Sequence, residues 1–408
     1  MFQPRLSINE ERTDLRRAVS PGSDKNRPVY NWYPYKHGYS NELVSNIIEE
    51  MGLEKGSKVL DIFCGSGTTL LTCQDMGIEA LGVDVMPFAV FLSNSKLEKY
   101  DHKKALKYAN WIKNKKIKIE KFPGTDIVTV PKAYDQATLD YLYSLKRGIG
   151  TIRDEKYRNL LMTAFFSILG DSSKTQKAGA FLRLKERETS PKLAESLFFK
   201  KLDDLVGDVK NMNKKRSTGI AMVGDSRFFE TKKTFDAIIT SPPYPNRHDY
   251  TRTYLLELAF GFTPKNKEIK DLRRRTIRSH VEAREQHSES NFVAPRSLSI
   301  AIGKIKRNGV NNSQITEMLS GYFEDMYLTL VNAKKYLKRG GKVAFVVSNV
   351  RYSGVNVMVD EILSTVGKDA GLAPYKIITM RRRGNSPQQA KLYKTTRSRE
   401  SIVMWKKP

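Results

Sequence analysis

The sequence predicts an α/β fold, a mixed sheet in which strands alternate with helices, and three stretches carry that expectation. Val59-Leu60-Asp61-Ile62-Phe63-Cys64-Gly65-Ser66-Gly67-Thr68-Thr69 reads as a strand, a glycine-rich turn and a helix start. Glu79-Ala80-Leu81-Gly82-Val83-Asp84 reads as a second strand closed by an acid, seventeen residues after Gly67. Phe235-Asp236-Ala237-Ile238-Ile239-Thr240 reads as a buried strand that runs straight into Ser241-Pro242-Pro243-Tyr244.

Taken in order, residues 1–29 are polar, charged and turn-rich, and are expected to form a basic arm or a disordered leader. The aromatic stretch Trp32-Tyr33-Pro34-Tyr35-Lys36-His37-Gly38-Tyr39-Ser40 either touches a ligand or packs under the sheet. Residues 41–54 place apolar residues at helical spacing, with Glu49, Glu50 and Glu54 on the solvent side. Strand, turn, helix and second strand then fill 58–85, and a helix is expected over 87–100. Between 101 and 215 the rhythm breaks into helical patterns, at 157–169 and 192–212 among others, separated by basic stretches. Beyond the third strand, residues 245–258 run into a helix, whereas 263–312 read as an irregular, arginine-rich segment. A helix ending near Leu337 leads into a buried strand over 340–348. The stretches 375–381 and 400–405 read as an antiparallel hairpin, joined by a polar loop over 382–399.

Composition narrows the class. The 408 residues carry 71 Lys and Arg against 44 Asp and Glu, a formal charge of +27, which points to a polyanionic partner. No apolar run approaches the roughly 20 residues of a membrane span, and Met1-Phe2-Gln3-Pro4-Arg5 lacks a secretion-type apolar region, so a cytoplasmic protein free of membranes is expected. With only Cys64 and Cys73, neither a disulfide framework nor a four-cysteine metal site can be built, and no metal is expected.

The corner at Ser241 is where chemistry enters. Each proline fixes its own φ and biases the preceding residue toward extended backbone, so the loop is stiff. Its carbonyls and the Ser241 hydroxyl can accept hydrogen bonds from an amine-bearing ring on which Tyr244 stacks. The glycine turn brings backbone N–H groups to a helix N-terminus, and an acid at Asp84 suits a ribose diol.

In combination, Asp-x-Phe-x-Gly-x-Gly on the first strand, the acid closing the second and Ser-Pro-Pro-Tyr closing a later one resemble the amino-group DNA methyltransferases, which methylate the exocyclic nitrogen of cytosine or adenine. The resemblance covers residues 30–100, 220–260 and 335–405, about half the chain. It implies the class I S-adenosylmethionine-dependent methyltransferase fold, a Rossmann-like seven-stranded mixed sheet with helical and loop insertions, in its unpermuted order. It divides the chain into an arm (1–29), a cofactor-binding half (30–100), a helical insertion (101–215), a catalytic segment (216–262), a basic insertion (263–320) and the rest of the sheet (321–408). S-adenosylmethionine is the implied cofactor, with Tyr39, Ser40, Asp61, Phe63, Cys64, Gly65, Ser66, Gly67, Thr68, Asp84, Val85, Asp225 and Ser226 as its expected contacts. Cys64 stands where family members often carry another small or apolar residue.

Ser241, Pro242, Pro243 and Tyr244 are the implied catalytic residues, and the serine favours cytosine N4, since adenine N6 enzymes more often carry Asp or Asn there. Methylating a ring carbon would instead need a cysteine nucleophile, conventionally after proline, and neither cysteine follows one. Double-stranded DNA is the implied partner, met by Arg247, His248, Tyr250, Arg273, Arg274, Arg275 and Arg278 and by the loop holding Asn385, Gln388, Gln389, Lys391 and Arg397. A cognate restriction endonuclease acting on the same site is a further expected partner. An adenine N6 or RNA amino-methyltransferase, and a catalytically silent nucleic-acid-binding protein, are the alternatives. The 57 residues ahead of the first strand leave little room for the separate RNA-binding domain that RNA enzymes often carry.

Overall fold

The computed structural model describes residues 8–36, 38–179, 181–212, 217–285, 290–309, 312–383 and 398–408. Among the described residues, eight strands form the main sheet: β1 (Ile8–Glu11), β2 (Lys58–Asp61), β3 (Glu79–Asp84), β4 (Gly219–Val223), β5 (Phe235–Thr240), β6 (Leu337–Ser348), β7 (Ala373–Arg383) and β8 (Ser398–Lys406). Their order is β1-β7-β8-β6-β5-β2-β3-β4. β8 runs antiparallel to both neighbours, and every other pairing is parallel. The chain reverses direction across the sheet between β2 and β5, and ligand clefts of open α/β sheets form at such a switch point.

Alternation along the strands builds two cores. Val59, Ala237 and Ile239 face one cluster, with α1 (Asn41–Glu50), α2 (Thr68–Asp75) and α3 (Pro87–Leu97). Leu60, Ile238, Phe345 and Trp405 face the other. Successive strand residues point to opposite faces, so a strand covered on both sides is apolar through its centre, as β5 is at Ala237, Ile238 and Ile239.

Six of the strands stand where the sequence places them, Gly219–Val223 brings the number to the seven that the resemblance implies, and the eighth comes from the N-terminal arm. Instead of a disordered leader, Ile8–Glu11 pairs with Lys376–Thr379 along the open edge of β7. Lys376 holds Glu10 at 3.3 Å and Glu50 at 2.5 Å, and Leu15, Ala18 and Val19 are buried behind it. An unpaired edge offers a row of backbone donors and acceptors, and this arm covers it.

The insertion over 101–215 is an added helical layer fused to the first core. Helices His102–Asn114, Gln136–Gly150, Glu155–Ile168 and Pro191–Asn211 bury Ala105, Leu142, Phe165 and Phe198 in the same cluster as Val59. A short hairpin, Thr175–Ala178 with Phe181–Leu184, projects from it.

The segment expected to be irregular contains two helices, Asn266–Arg275 and Arg296–Arg307. Their buried positions, Ile269 and Leu272 in one and Leu298, Ala301 and Ile305 in the other, recur at helical spacing. The abundance of arginine on the remaining faces hid that period. Asn385, Gln388, Gln389, Lys391 and Arg397 lie outside the described residues.

Candidate active site

The chain leaves β2 at Asp61 and turns into α2 through two glycines in the left-handed region, Gly65 (φ 51°) and Gly67 (φ 83°). A Cβ on Gly67 would lie 2.8 Å from Ser93 Oγ, so this position also allows α2 and α3 to close on each other. A Cβ on Gly65 would meet the Tyr35 ring at 3.3 Å. The Gly65 N–H donates to Asp84 at 2.9 Å and the Met86 N–H donates to the other carboxylate oxygen at 2.8 Å, which fixes the acid at the end of β3. Burial pushes the Asp84 pKa up to about 6.

Asp61 lies beneath this turn. It accepts from Thr240 Oγ1 at 2.6 Å, from the Phe63 N–H at 3.1 Å and from Tyr39 at 3.5 Å, and burial pushes its pKa up to about 6. The acid thereby ties β2, β5 and the aromatic stretch together. That stretch divides between the core and the cleft. Tyr33 is buried against Glu257, whereas Tyr35 and Tyr39 line the cleft. Tyr35 stacks on Tyr254, rings 4.7 Å apart, and Tyr254 accepts from the Lys36 N–H at 2.8 Å.

The corner after β5 places Ser241 and Pro243 on the same cleft. Ser241 Oγ donates to the Val346 carbonyl on β6 at 3.1 Å. Tyr244 is half-buried behind it, packed on the second core, with its hydroxyl 3.5 Å from Ser241 Oγ. The glycine turn, Asp84, Ser241 and Pro243 thus line one cleft.

Of the expected cofactor contacts, Tyr39, Phe63, Cys64, Gly65, Ser66, Thr68, Asp84 and Val85 line the cleft. The others are placed differently. Ser40 is buried as the N-cap of α1, accepting from the Leu43 N–H. Asp61 and Gly67 act from behind the loop, as described. Asp225 sits at the end of β4 beside β3, but Arg227 holds its carboxylate at 2.6 Å. Ser226 is buried against Thr329 at 3.2 Å. Pro242 is buried. Burial pushes the Cys64 thiol well above its ordinary range, which favours the neutral thiol over the nucleophilic thiolate.

The expected DNA contacts divide in the same way. Arg247, Arg274 and Arg275 are exposed. Arg278 is buried, ion-paired with Asp325 at 2.7 Å and Glu324 at 2.8 Å, and Arg273 is held by Asp249 at 2.7 Å. His248 is buried beside Thr253 Oγ1 at 3.1 Å. The two arginines are committed inside the fold, because an arginine clamped by buried acids acts as a staple and is not offered to a phosphate, and His248 is turned inward with them. Tyr250 lines the cleft and not the outer surface. The sequence reading also missed Met86 and the wall made by Thr276, Ile277, Ser279 and His280. Nothing local marks the wall residues; only the path of the second insertion brings them there.

Comparison with known proteins accords with this geometry. Residues 13–95 match the family model described as DNA methylase. The type II methyltransferase M.BsoBI of Geobacillus stearothermophilus is 33% identical, over 98% of this chain and 90% of its own length. M.AvaI of Nostoc sp. (strain PCC 7120) is 27% identical over 100% of this chain and 92% of its own. Among the described residues no helix is long and apolar enough to cross a membrane. The left-handed glycine turn at a helix start, the fixed acid of β3 and the flat apolar wall of Phe63, Val85 and Met86 fit S-adenosylmethionine, the methyl donor of this fold. The chain therefore belongs to the S-adenosylmethionine-dependent amino-group DNA methyltransferases, the N6/N4 family of type II restriction-modification systems.

Proposed function

We propose that this enzyme methylates the N4 amine of cytosine in duplex DNA after flipping the base out of the stack, as the modification partner of a restriction endonuclease. The observation that carries this reading is Ser241 on the cleft wall, on the same cavity as Asp84 and the glycine turn. Its proton is engaged by the Val346 carbonyl, so toward the cleft Ser241 Oγ offers lone pairs that accept an amine hydrogen. With the Pro242 carbonyl as a second acceptor, the amine's lone pair is turned out of conjugation with the ring. Bound S-adenosylmethionine supplies an electrophilic methyl group, and most of the acceleration comes from alignment. Asp84 holds the ribose hydroxyls, and the exposed arginines meet phosphates. Digesting methylated DNA to nucleosides and separating them by mass spectrometry should show N4-methylcytosine. Methyl on adenine alone would overturn the choice of base.

Tyr244→Ala should cut turnover by about tenfold to a hundredfold while S-adenosylmethionine affinity holds, because stacking on a base is worth about 1–3 kcal/mol. Tyr244→Phe should keep most activity. Tyr250 is the second aromatic near the base, and it lies on the cleft itself. If Tyr250→Ala alone reproduced the loss and Tyr244→Ala did not, the stacking role would pass to Tyr250.

A further inference from the structure

The second insertion supplies part of the wall of the cleft that Ser241 and Pro243 also line, and its segment 276–280 is fixed at three points. Thr276 Oγ1 donates to the Arg273 carbonyl at 2.7 Å, the Arg278 N–H donates to Asp325 at 2.8 Å, and the Ser279 carbonyl accepts from the Arg247 N–H at 3.0 Å. His280 is 4% exposed and lines the cleft with Ser241 and Pro243.

The tautomer of His280 follows from its neighbour. Its Nε2 lies 3.1 Å from Thr276 Oγ1. A hydroxyl has one hydrogen, and that of Thr276 is used by the Arg273 carbonyl. Toward the ring, Thr276 Oγ1 can only accept, so Nε2 carries the proton and Nδ1 is a bare lone pair. Nδ1 is buried and meets no donor among the described residues. Burial also holds the ring below the ordinary histidine pKa, which keeps it neutral at neutral pH.

The charged groups facing the ring are Asp249 and Glu282, which favour its protonation, and Arg273 and Arg252, which oppose it. Arg273 holds Asp249 at 2.7 Å and Arg252 holds Glu282, so this group of possible ligand side chains already has its cations. A buried acceptor without a donor is unfavourable and calls for an explanation. On the wall of a substrate cleft, a donor that arrives with the substrate provides one.

We propose that His280 Nδ1 accepts a hydrogen bond from the exocyclic amine of the target base, as a specificity-determining residue on the same cleft as Ser241. The proposal rests on the DNA-methylating reading of the same cleft. His280 Nδ1 then takes one amine hydrogen, and the Ser241–Pro242 corner, whose two oxygens share the other, takes the second. A base presenting a carbonyl oxygen there, such as thymine or guanine, meets a lone pair with a lone pair and is rejected.

Two variants test the assignment. His280→Gln can keep an N–H for Thr276 but has no acceptor at the Nδ1 position. His280→Asn can return an amide oxygen to that position. Methyl transfer from labelled S-adenosylmethionine to unmodified genomic DNA is measured from pH 5 to 9, with cofactor affinity by calorimetry and melting temperature alongside. In His280→Gln, kcat should fall about tenfold or more with cofactor affinity unchanged, and His280→Asn should recover part of it. Wild-type kcat should decline on the acid side as the ring takes a proton and loses its lone pair, and His280→Asn should lack that decline. Wild-type kcat in His280→Gln, or equal losses in both variants with the acid decline retained, would overturn the role. A wild-type enzyme that binds S-adenosylmethionine but labels no DNA would instead remove the underlying reading.

Discussion

Gly65→Asp should lower S-adenosylmethionine affinity by more than about a hundredfold in calorimetry, with the fold retained in a melting experiment. Three effects point the same way. Gly65 has φ 51°, where a side chain is strained. Its new Cβ would meet the Tyr35 ring at 3.3 Å on the face that lines the cleft. The new carboxylate would stand beside Asp84, which accepts the Gly65 N–H at 2.9 Å. Asp84→Ala should weaken binding by about tenfold, the loss of a charged hydrogen-bond acceptor. Unchanged affinity in that folded variant would remove the ribose assignment. The pH dependence has a definite sign. Asp84 accepts best when ionised, and its pKa lies at about 6, so affinity should hold at neutral pH and fall as pH drops through that value.

DNA affinity should drop on the order of a thousandfold between 50 and 200 mM salt, if six or more cationic side chains neutralise phosphates. The net charge of +27 motivates this, and the structure narrows which charges take part. Arg273 and Arg278 are internally paired, whereas Arg274, Arg275 and Arg284 are exposed on an open concavity that also holds Lys270. Replacing Arg274 and Arg275 together by alanine should reduce the slope of log K against log[salt] by about 2. A flat response in the wild-type protein would make the charge a solubility feature.

The sheet was legible because its signals are local. Val59–Leu60 and Ala237–Ile239 are apolar cores of strands that lead into turns, and glycine at 65 and 67 answers a backbone requirement within the turn itself. The first misreading came where an element depends on a distant partner. The arm strand Ile8–Glu11 has no apolar alternation, and it is a strand because β7 offers an edge and Lys376 draws in Glu10. The helices at 266–275 and 296–307 were hidden by arginines whose partners, such as Asp249, come from elsewhere in the chain.

The sequence by itself determined the α/β class, the glycine turn, the acid of β3 and the Ser-Pro-Pro-Tyr corner, because each is a short-range pairing of residue type with backbone geometry. Only the tertiary structure decided which side chains face the cleft. Asp61, Ser226 and Arg278 carry the right chemistry, but each is turned toward a buried partner: Thr240, Thr329 and Asp325. Tyr35 and His280 reach the same cleft although Tyr35 lies 30 residues before Gly65 and His280 lies 213 residues after Gly67. Direction and burial are properties of the packed neighbours, and a charged or polar residue type is compatible with either outcome until those neighbours are in place.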